Sequence, residues 1–384
     1  EGKEGQIYFR ILAYVRYLNQ KGLDPSYTDY FGATHSVKQR QDIEVNKVFF
    51  PFYGWFLTPK FTYYLWAWTN NAIMGQGGSV ILGGHVDYHW NKQFNLGLGI
   101  NALPTTRSTE GQFPYWLGVD DRLTSDEFFR GSYTTGAYLY GEAVEGVNYK
   151  VMVGNNLNQV GVNSARLDNG MSTQSFMINW MPTTKEFGYF GGYGDYEEHQ
   201  KVATRVGAHF THSREDKESQ PGEDGIENTQ VRLTDGSIVF TPDLFAPGVA
   251  VRRVTYEMAS ADFGVKYKGF SLEGEYFWRW LSNFTGTNTQ GIADIKDHGY
   301  QIQSSAMVIP KTLQVYLSGA EILGRYGDGS EIRAGLNWWF EKTRGLRFNA
   351  EWLHLKHSPV GYTAVPYPVG GNGDVFHTNL EMNF

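Results

Sequence analysis

Charged side chains fall at every second position in several short segments of this chain, a spacing that places them on one face of an extended strand. Counted by phase, the cations of these faces are Arg10, Arg16, Arg205, Lys266, Lys268, Arg279, Arg333 and Arg347. The anions are Asp87, Asp262, Glu273, Glu275, Glu331, Glu351 and Glu381. Rows of fixed charge along a water-filled passage can select ions, because an ion that sheds water in a narrow, low-dielectric space needs compensating charge. The same charges have a plainer use. Pairs such as Arg279 with Glu275, or Arg347 with Glu351, can brace a wall and select nothing, and for any one residue this use carries at least equal weight.

Other chemistries find less support. His85 and His89 share a face with Asp87, but positions four apart on a strand lie about 13 Å apart at ~3.3 Å per residue, too far for one metal ion. No glycine-rich phosphate loop opens a helix and no G-x-S-x-G elbow is present. The chain has 0 cysteines, which removes disulfide scaffolds and thiolate metal sites. No cofactor, no metal and no enzymatic activity are expected. With 33 basic against 40 acidic residues the chain lacks the basic excess of a nucleic-acid binder.

The elements that must position these charges are strands. From Ile7 to Tyr17 one face reads Ile7, Phe9, Ile11, Ala13, Val15, Tyr17, and the other carries Arg10 and Arg16. The alternation recurs at 43–50, 61–68, 80–90, 94–100, 133–139, 147–153, 176–180, 202–210, 261–267, 270–280, 300–308, 313–319, 332–340, 346–352 and 376–384, which predicts sixteen strands and no helix of note. Aromatics reach 16% of the chain while mean hydropathy is -0.42, and no run approaches the ~20 apolar residues of a spanning helix. A membrane reading therefore has to be a closed barrel, whose inner face can be polar.

Connections supply a second signal. Short turns near Leu57–Lys60, Asn91–Gln93, Glu142–Gly146, Lys268–Gly269, Ile309–Thr312 and Glu341–Gly345 alternate with long loops at Gln20–His35, Ala102–Arg130, Asn155–Gly170, Ser213–Arg252, Ser282–Asp297 and Ser358–Gly373. The connections Asn70–Gly77 and Gly324–Gly329 are short for loops, and Pro182–Gln200 is long for a turn. Strand-end aromatics such as Tyr88, Trp90, Trp278, Trp280, Trp338 and Trp352 suit interfacial girdles better than the faces of a soluble sandwich. The chain ends on Phe384, in phase with Leu380 and Met382. The fold class expected is all-β: a transmembrane antiparallel up-and-down β-barrel, 1–384 as a single domain, mature after removal of a signal peptide.

Several stretches resemble the porin family named after the phosphate-selective porins O and P: 39–68, 128–158, 205–215, 262–278 and 331–357. The resemblance implies a sixteen-stranded channel of the bacterial outer membrane, a homotrimer set in outer-membrane lipid and lipopolysaccharide, passing small hydrophilic solutes or anions passively. It also implies that the third loop, here Ala102–Arg130, folds into the lumen as a constriction carrying Arg107, Asp120, Asp121, Arg122 and Arg130. The unmixed arginine ladder of the anion-selective members is not found in this sequence. The acidic stretch Ser213–Glu227 reads as a solvated external loop, with divalent cations at the lipopolysaccharide surface as a second use. The alternative to a pore is a non-conducting barrel, structural or plugged by a partner.

Overall fold

The computed structural model describes residues 2, 4–70, 79–111, 113–158, 170–218, 225–362 and 365–384. The connection expected at Asn70–Gly77 lies almost wholly outside them, as do the middle of Asn155–Gly170 and part of Ser213–Glu227. Sixteen strands form the barrel wall. The first eight are β1 (Leu12–Leu23), β2 (Gln41–Phe56), β3 (Thr58–Asn70), β4 (Ser79–His89), β5 (Asn95–Ala102), β6 (Tyr133–Val144), β7 (Val147–Gly154) and β8 (Thr173–Trp180). The second eight are β9 (Ala203–Asp216), β10 (Ala250–Tyr267), β11 (Phe270–Thr287), β12 (Ile295–Ile309), β13 (Leu313–Leu323), β14 (Gly329–Trp339), β15 (Leu346–Lys356) and β16 (Gly373–Asn383).

Each strand pairs antiparallel with the next, and β16 returns to β1, with Asn383 opposite Leu12 and Gly373 opposite Leu23. The result is a closed, transmembrane up-and-down β-barrel with sixteen strands. The strand expected at Ile7–Tyr17 is interrupted. Gly5–Phe9 pairs with the turn end of β2 in the register that β1 continues, but Arg10 and Ile11 leave the ladder. Their neighbour across the gap is Pro51, which accepts from Arg10 N–H at 3.2 Å and has no N–H to return. Ile11 instead exchanges both backbone bonds with Phe384, at 2.7 and 3.0 Å. The same proline sits inside β2, so an apolar run that reads as ending near Phe50 continues to Phe56.

Side chains alternate along every wall strand. In β8, TQSFMINW, the burial is strictly alternating, with Thr173, Ser175, Met177 and Asn179 covered and Gln174, Phe176, Ile178 and Trp180 exposed. Leu82, Leu317 and Ile332 are each at least 60% exposed on the outer face, a placement that only an apolar surrounding favours. Trp90, Trp180, Phe270, Trp338 and Phe384 ring the turn end of this band, and Trp278, Trp352 and Phe376 its loop end. Phe270 and Trp278 are separated by about 26 Å along a tilted strand, on the order of the apolar band of outer-membrane barrels.

Turns and loops alternate as expected. At Lys268–Gly269 both residues have positive φ, 48° and 83°, the backbone that a two-residue hairpin turn between right-twisted strands requires. The exception on the turn rim is 181–202, which folds inward with Phe187, Tyr193 and Asp195 buried. On the other rim, 225–249 folds back so that Val231, Leu233, Val239 and Phe240 pack with Phe128, Phe129 and Phe277. Glu215, expected in a solvated loop, is buried at the end of β9 and accepts from Leu157 N–H at 3.0 Å and Asn228 at 2.6 Å.

An arginine in mid-wall on the lipid face tests the membrane placement. Leu317→Arg is expected to lower unfolding free energy by about 2–4 kcal/mol in phospholipid vesicles. Leu317→Ala should cost under half as much, and guanidinium titration followed by tryptophan fluorescence gives the comparison.

Candidate functional site

The segment between β5 and β6 makes its contacts with inward-facing side chains around most of the barrel. It contains a 3-10 turn at Arg107–Thr109 and a short helix, α1 (Thr124–Phe129). Arg107 reaches Glu273 of β11 at 2.8 Å, and Glu110 meets Arg205 and His209 of β9 at 2.6 and 2.7 Å. The Trp116 carbonyl accepts from Arg347 of β15 at 2.8 Å, and that of Val119 from Arg16 of β1 at 2.8 Å. Asp120 pairs with Lys47 of β2 at 2.7 Å, and Asp121 with Arg333 of β14 at 2.7 Å. Thr124 N–H donates to Glu331, and Ser125 to Gln301 of β12.

This path decides where each candidate cation lies. Arg16, Arg205, Lys266, Arg279, Arg333 and Arg347 all point inward and are buried. Arg205 is held between Asp262, at 2.8 Å, and Glu110. Arg333 is within 2.7–3.2 Å of Asp121, Glu331 and Glu351, and also donates to the Arg122 carbonyl at 2.6 Å. Arg279 pairs with Asp297 at 2.5 Å and lies 4.1 Å from the Phe128 ring. Arg347 donates to Glu381 at 2.9 Å. The wall pairs suggested by spacing along one strand, Arg279 with Glu275 and Arg347 with Glu351, are therefore replaced by pairs across strands. Asp297 and Glu381 stand directly opposite in register, at a cross-strand Cβ distance of about 5 Å, whereas residues four apart on one strand are about 13 Å apart.

Lys268 stands apart from the rest. It occupies the β10–β11 turn, exposed beside the Tyr267 ring at 5.1 Å, rather than the wall. Within the loop, Arg107, Asp121 and Arg130 are buried and Asp120 and Arg122 largely so. Arg122 lies 4.1 Å from the Trp116 ring and 3.4 Å from Asp126, and Arg130 pairs with Glu127 at 2.6 Å. Two acid–histidine clusters bring ligand atoms within 4.8 Å, Glu110–His209–Asp262 and Asp121–Glu351–His377. Each already wraps a guanidinium, Arg205 in one and Arg333 in the other, which supplies the positive charge these carboxylates need.

From the turn rim, 181–202 meets the same loop. Its glycines Gly188, Gly191 and Gly194 have φ of 86°, 62° and 75°, conformations that bend it back into the barrel. Tyr193 N–H donates to the Tyr115 carbonyl at 2.9 Å, Arg107 to the Gly191 carbonyl at 2.6 Å, and Gly194 N–H to Glu273 at 3.1 Å. Lys266 donates to the Phe187 carbonyl at 2.9 Å. At the base of this segment a bond from His199 to the Asp195 carboxylate raises the imidazole pKa. Burial acts to raise the Asp195 pKa, but the bonds from His199 and from Gly269 N–H outweigh it and leave the carboxyl below its usual range.

Both insertions pack largely against the β9–β16 half of the barrel, and residues 113–120 also reach Tyr14 of β1 and Lys47 and Phe49 of β2. Across from them, several inward residues of β2 to β7 stay partly exposed, among them Tyr53, Tyr64, His85, His89, Tyr140 and Lys150, while Phe49, Trp66, Asp87 and Tyr138 are buried. His85 pairs with Asp87 at 2.5 Å, while His89 bonds Thr62 and Asn95 at 2.8 and 3.0 Å, so the three do not converge on one point. Lys150 and Lys47 carry inward charge that strand phase alone did not single out. Lys150 lies opposite the apolar face Val147, Tyr149, Val151, Val153, and reading that second face would have found it.

No family model matches this sequence, and no curated protein matches it. Solved structures do. An anion-selective porin from Comamonas acidovorans aligns over 99% of both chains at 12% identity, with a TM-score of 0.57. OmpT, an outer membrane protein of Vibrio cholerae in a trimer form, aligns over 100% of both at 10% identity and 0.57. The outer membrane channel DcaP of Acinetobacter baumannii aligns over 100% of this chain and 99% of its own, at 8% identity and 0.57. At these identities the likeness is one of fold.

Removing Arg333 leaves Asp121, Glu331 and Glu351 buried without their shared cation. Arg333→Ala is expected to destabilise the barrel by about 3–5 kcal/mol, read from guanidinium unfolding in detergent or lipid. The His199–Asp195 bond gives a pH dependence. A raised imidazole pKa means that its stabilisation is complete below about pH 6.5 and is lost as pH rises through the raised value. Thermal melts between pH 6 and pH 9 should show a fall in Tm in the wild type that His199→Gln removes.

Proposed function

We propose that this chain is a porin of a bacterial outer membrane, working as a single domain in a homotrimer set in lipid and lipopolysaccharide. It passes small hydrophilic solutes by diffusion, with a preference for anions, and performs no catalysis. The observation that carries this reading is the division of the closed barrel: an apolar outer band, and inside it a loop held against β9–β16 that leaves the β2–β7 wall with partly exposed polar groups. Segment 103–130 then acts as the constriction, with Lys150 and Arg10 on the open side. The three solved relatives of this fold include an anion-selective porin, a channel and a trimer, in keeping with that reading. The resemblance of 39–68 and 331–357 to the phosphate-selective porins adds phosphate to the anions worth testing.

A second reading has its own observation. Segments 103–130 and 181–202 meet at Tyr115 and Tyr193, with the Tyr115 ring stacked at 5.8 Å on Phe190, so that the two insertions together seal much of the lumen. A sealed barrel would serve as structure or as a partner's sheath.

Planar-bilayer recording separates them. The porin reading expects discrete conductance steps, with a reversal potential in a KCl gradient displaced toward chloride, and reduced by phosphate if that anion binds. Wild-type protein that inserts, shown by its shift in electrophoretic mobility on heating, yet gives no steps would sink the pore and leave the sealed barrel.

A further inference from the structure

The open wall carries more than scattered polar groups. Its inward rings form a continuous series across the strands: Tyr53 to Tyr64 at 6.1 Å between centroids, Tyr64 to His85 at 5.7 Å, and His85 to Tyr138, whose ring is buried at the end of the series, at 5.8 Å. The last step passes over β5, where the inward positions are Gly97 and Gly99. A Cβ at Gly97 would stand 2.1 Å from the Tyr138 ring, so that glycine is what lets the ring lie against the wall.

A cation stands at each end. Lys150 Nζ sits 4.7 Å from the Tyr138 ring centroid and donates to the Ala102 carbonyl at 2.8 Å. Arg10, beside the start of the series through its neighbour Pro51, donates to the Asn383 side-chain oxygen at 2.6 Å. Among the described residues neither forms an ion pair with a carboxylate. Arg205, Arg279, Arg333 and Arg347 in the filled half all do. Asp87, the carboxylate beside these rings, is occupied by His85 and by the Tyr138 hydroxyl at 2.8 Å.

Stacked rings attract a flat or ring-shaped apolar face, and an ammonium or guanidinium without a protein counter-ion attracts a carboxylate. Simple screening of inorganic ions would need the charges and not the rings. We propose that the wall Tyr53–Tyr64–His85–Tyr138, between Arg10 and Lys150, is a binding track for solutes built of a six-membered ring bearing one carboxylate, either aromatic acids or sugar acids. The proposal rests on the porin reading for its access from solution, and gives that pore a solute class. Tyr64 supplies the stacking face and Lys150 the carboxylate contact.

Calorimetric titration of the detergent-solubilised protein measures the track without requiring conduction. Benzoate and glucuronate are the two ring-acid probes, acetate the carboxylate without a ring, and glucose the ring without a carboxylate. At least one ring acid is expected to bind at least tenfold more tightly than acetate and glucose, and which of the two binds identifies the source. Lys150→Met and Tyr64→Ala should each weaken that binding at least tenfold. Lys150→Arg should keep it within threefold, and Lys311→Gln, in the exposed β12–β13 turn, should leave it unchanged. Circular dichroism and heat-shifted electrophoretic mobility establish that each variant is a folded barrel. No binding of either ring acid, acetate binding as tightly, or full binding retained in both weakened variants would each overturn the track. Binding without conductance steps in a bilayer would instead overturn the porin reading and leave the track standing.

Discussion

A strand edge facing lipid leaves N–H and C=O groups with no water to bond, at several kcal/mol each, so the ladder joining Leu12–Leu23 to Gly373–Asn383 is the interaction on which the rest of the structure depends. Its weak point is the gap at Arg10 and Ile11, beside a proline that cannot donate. The backbone of Phe384 fills that gap by exchanging both bonds with Ile11. Phe384 thus completes the seam, and its ring lies 69% exposed on the outer face with the other girdle aromatics. Once the seam is closed, every second side chain must face inward, whatever its polarity.

That inward requirement creates the second constraint. A guanidinium or carboxylate removed from water is costly unless it is paired and hydrogen-bonded. The β9–β16 half of the wall carries most of the inward charge, and cross-strand neighbours neutralise part of it, as in Arg279–Asp297 and Arg347–Glu381. The remainder is satisfied by loop 103–130, through its carboxylates Glu110 and Asp121 and its carbonyls at Trp116, Val119 and Arg122. The charges therefore fix where the loop lies. An arginine read as pore lining becomes a tether because its partner comes from a distant part of the chain.

The other half of the wall is built differently. Trp66 lies against Gly83 and Tyr138 against Gly97, each so closely that a Cβ would approach the ring to 2.1 Å. Pairing a ring with a glycine on the next strand keeps the side chain flat on the sheet. This half presents aromatic faces and a few cations, of which Lys47 pairs with Asp120 of the loop and Lys150 bonds the Ala102 carbonyl. The asymmetry between a charged, covered half and an aromatic, partly open half is what gives the interior a direction.

The amino-acid sequence by itself determined the wall. Period-two alternation, the inward phase of residues such as Arg16, Arg205 and Arg333, and the alternation of turns with loops are local properties, set by the pleat and by turn chemistry. The count of sixteen strands followed from them. Strand ends were less legible where a proline interrupted an otherwise regular ladder, as at Pro51. Only the tertiary structure decided which inward charges remain available. Asp121 and Arg333 lie far apart in the chain, and nothing in the spacing of either predicts that they meet. Likewise, the glycine-rich 181–202 segment could be seen as too long for a turn, but its path into the barrel depends on Arg107, Lys266 and Glu273 waiting there. Cross-strand register and loop docking set these partners. Both depend on distances through space, to which spacing along the chain is blind.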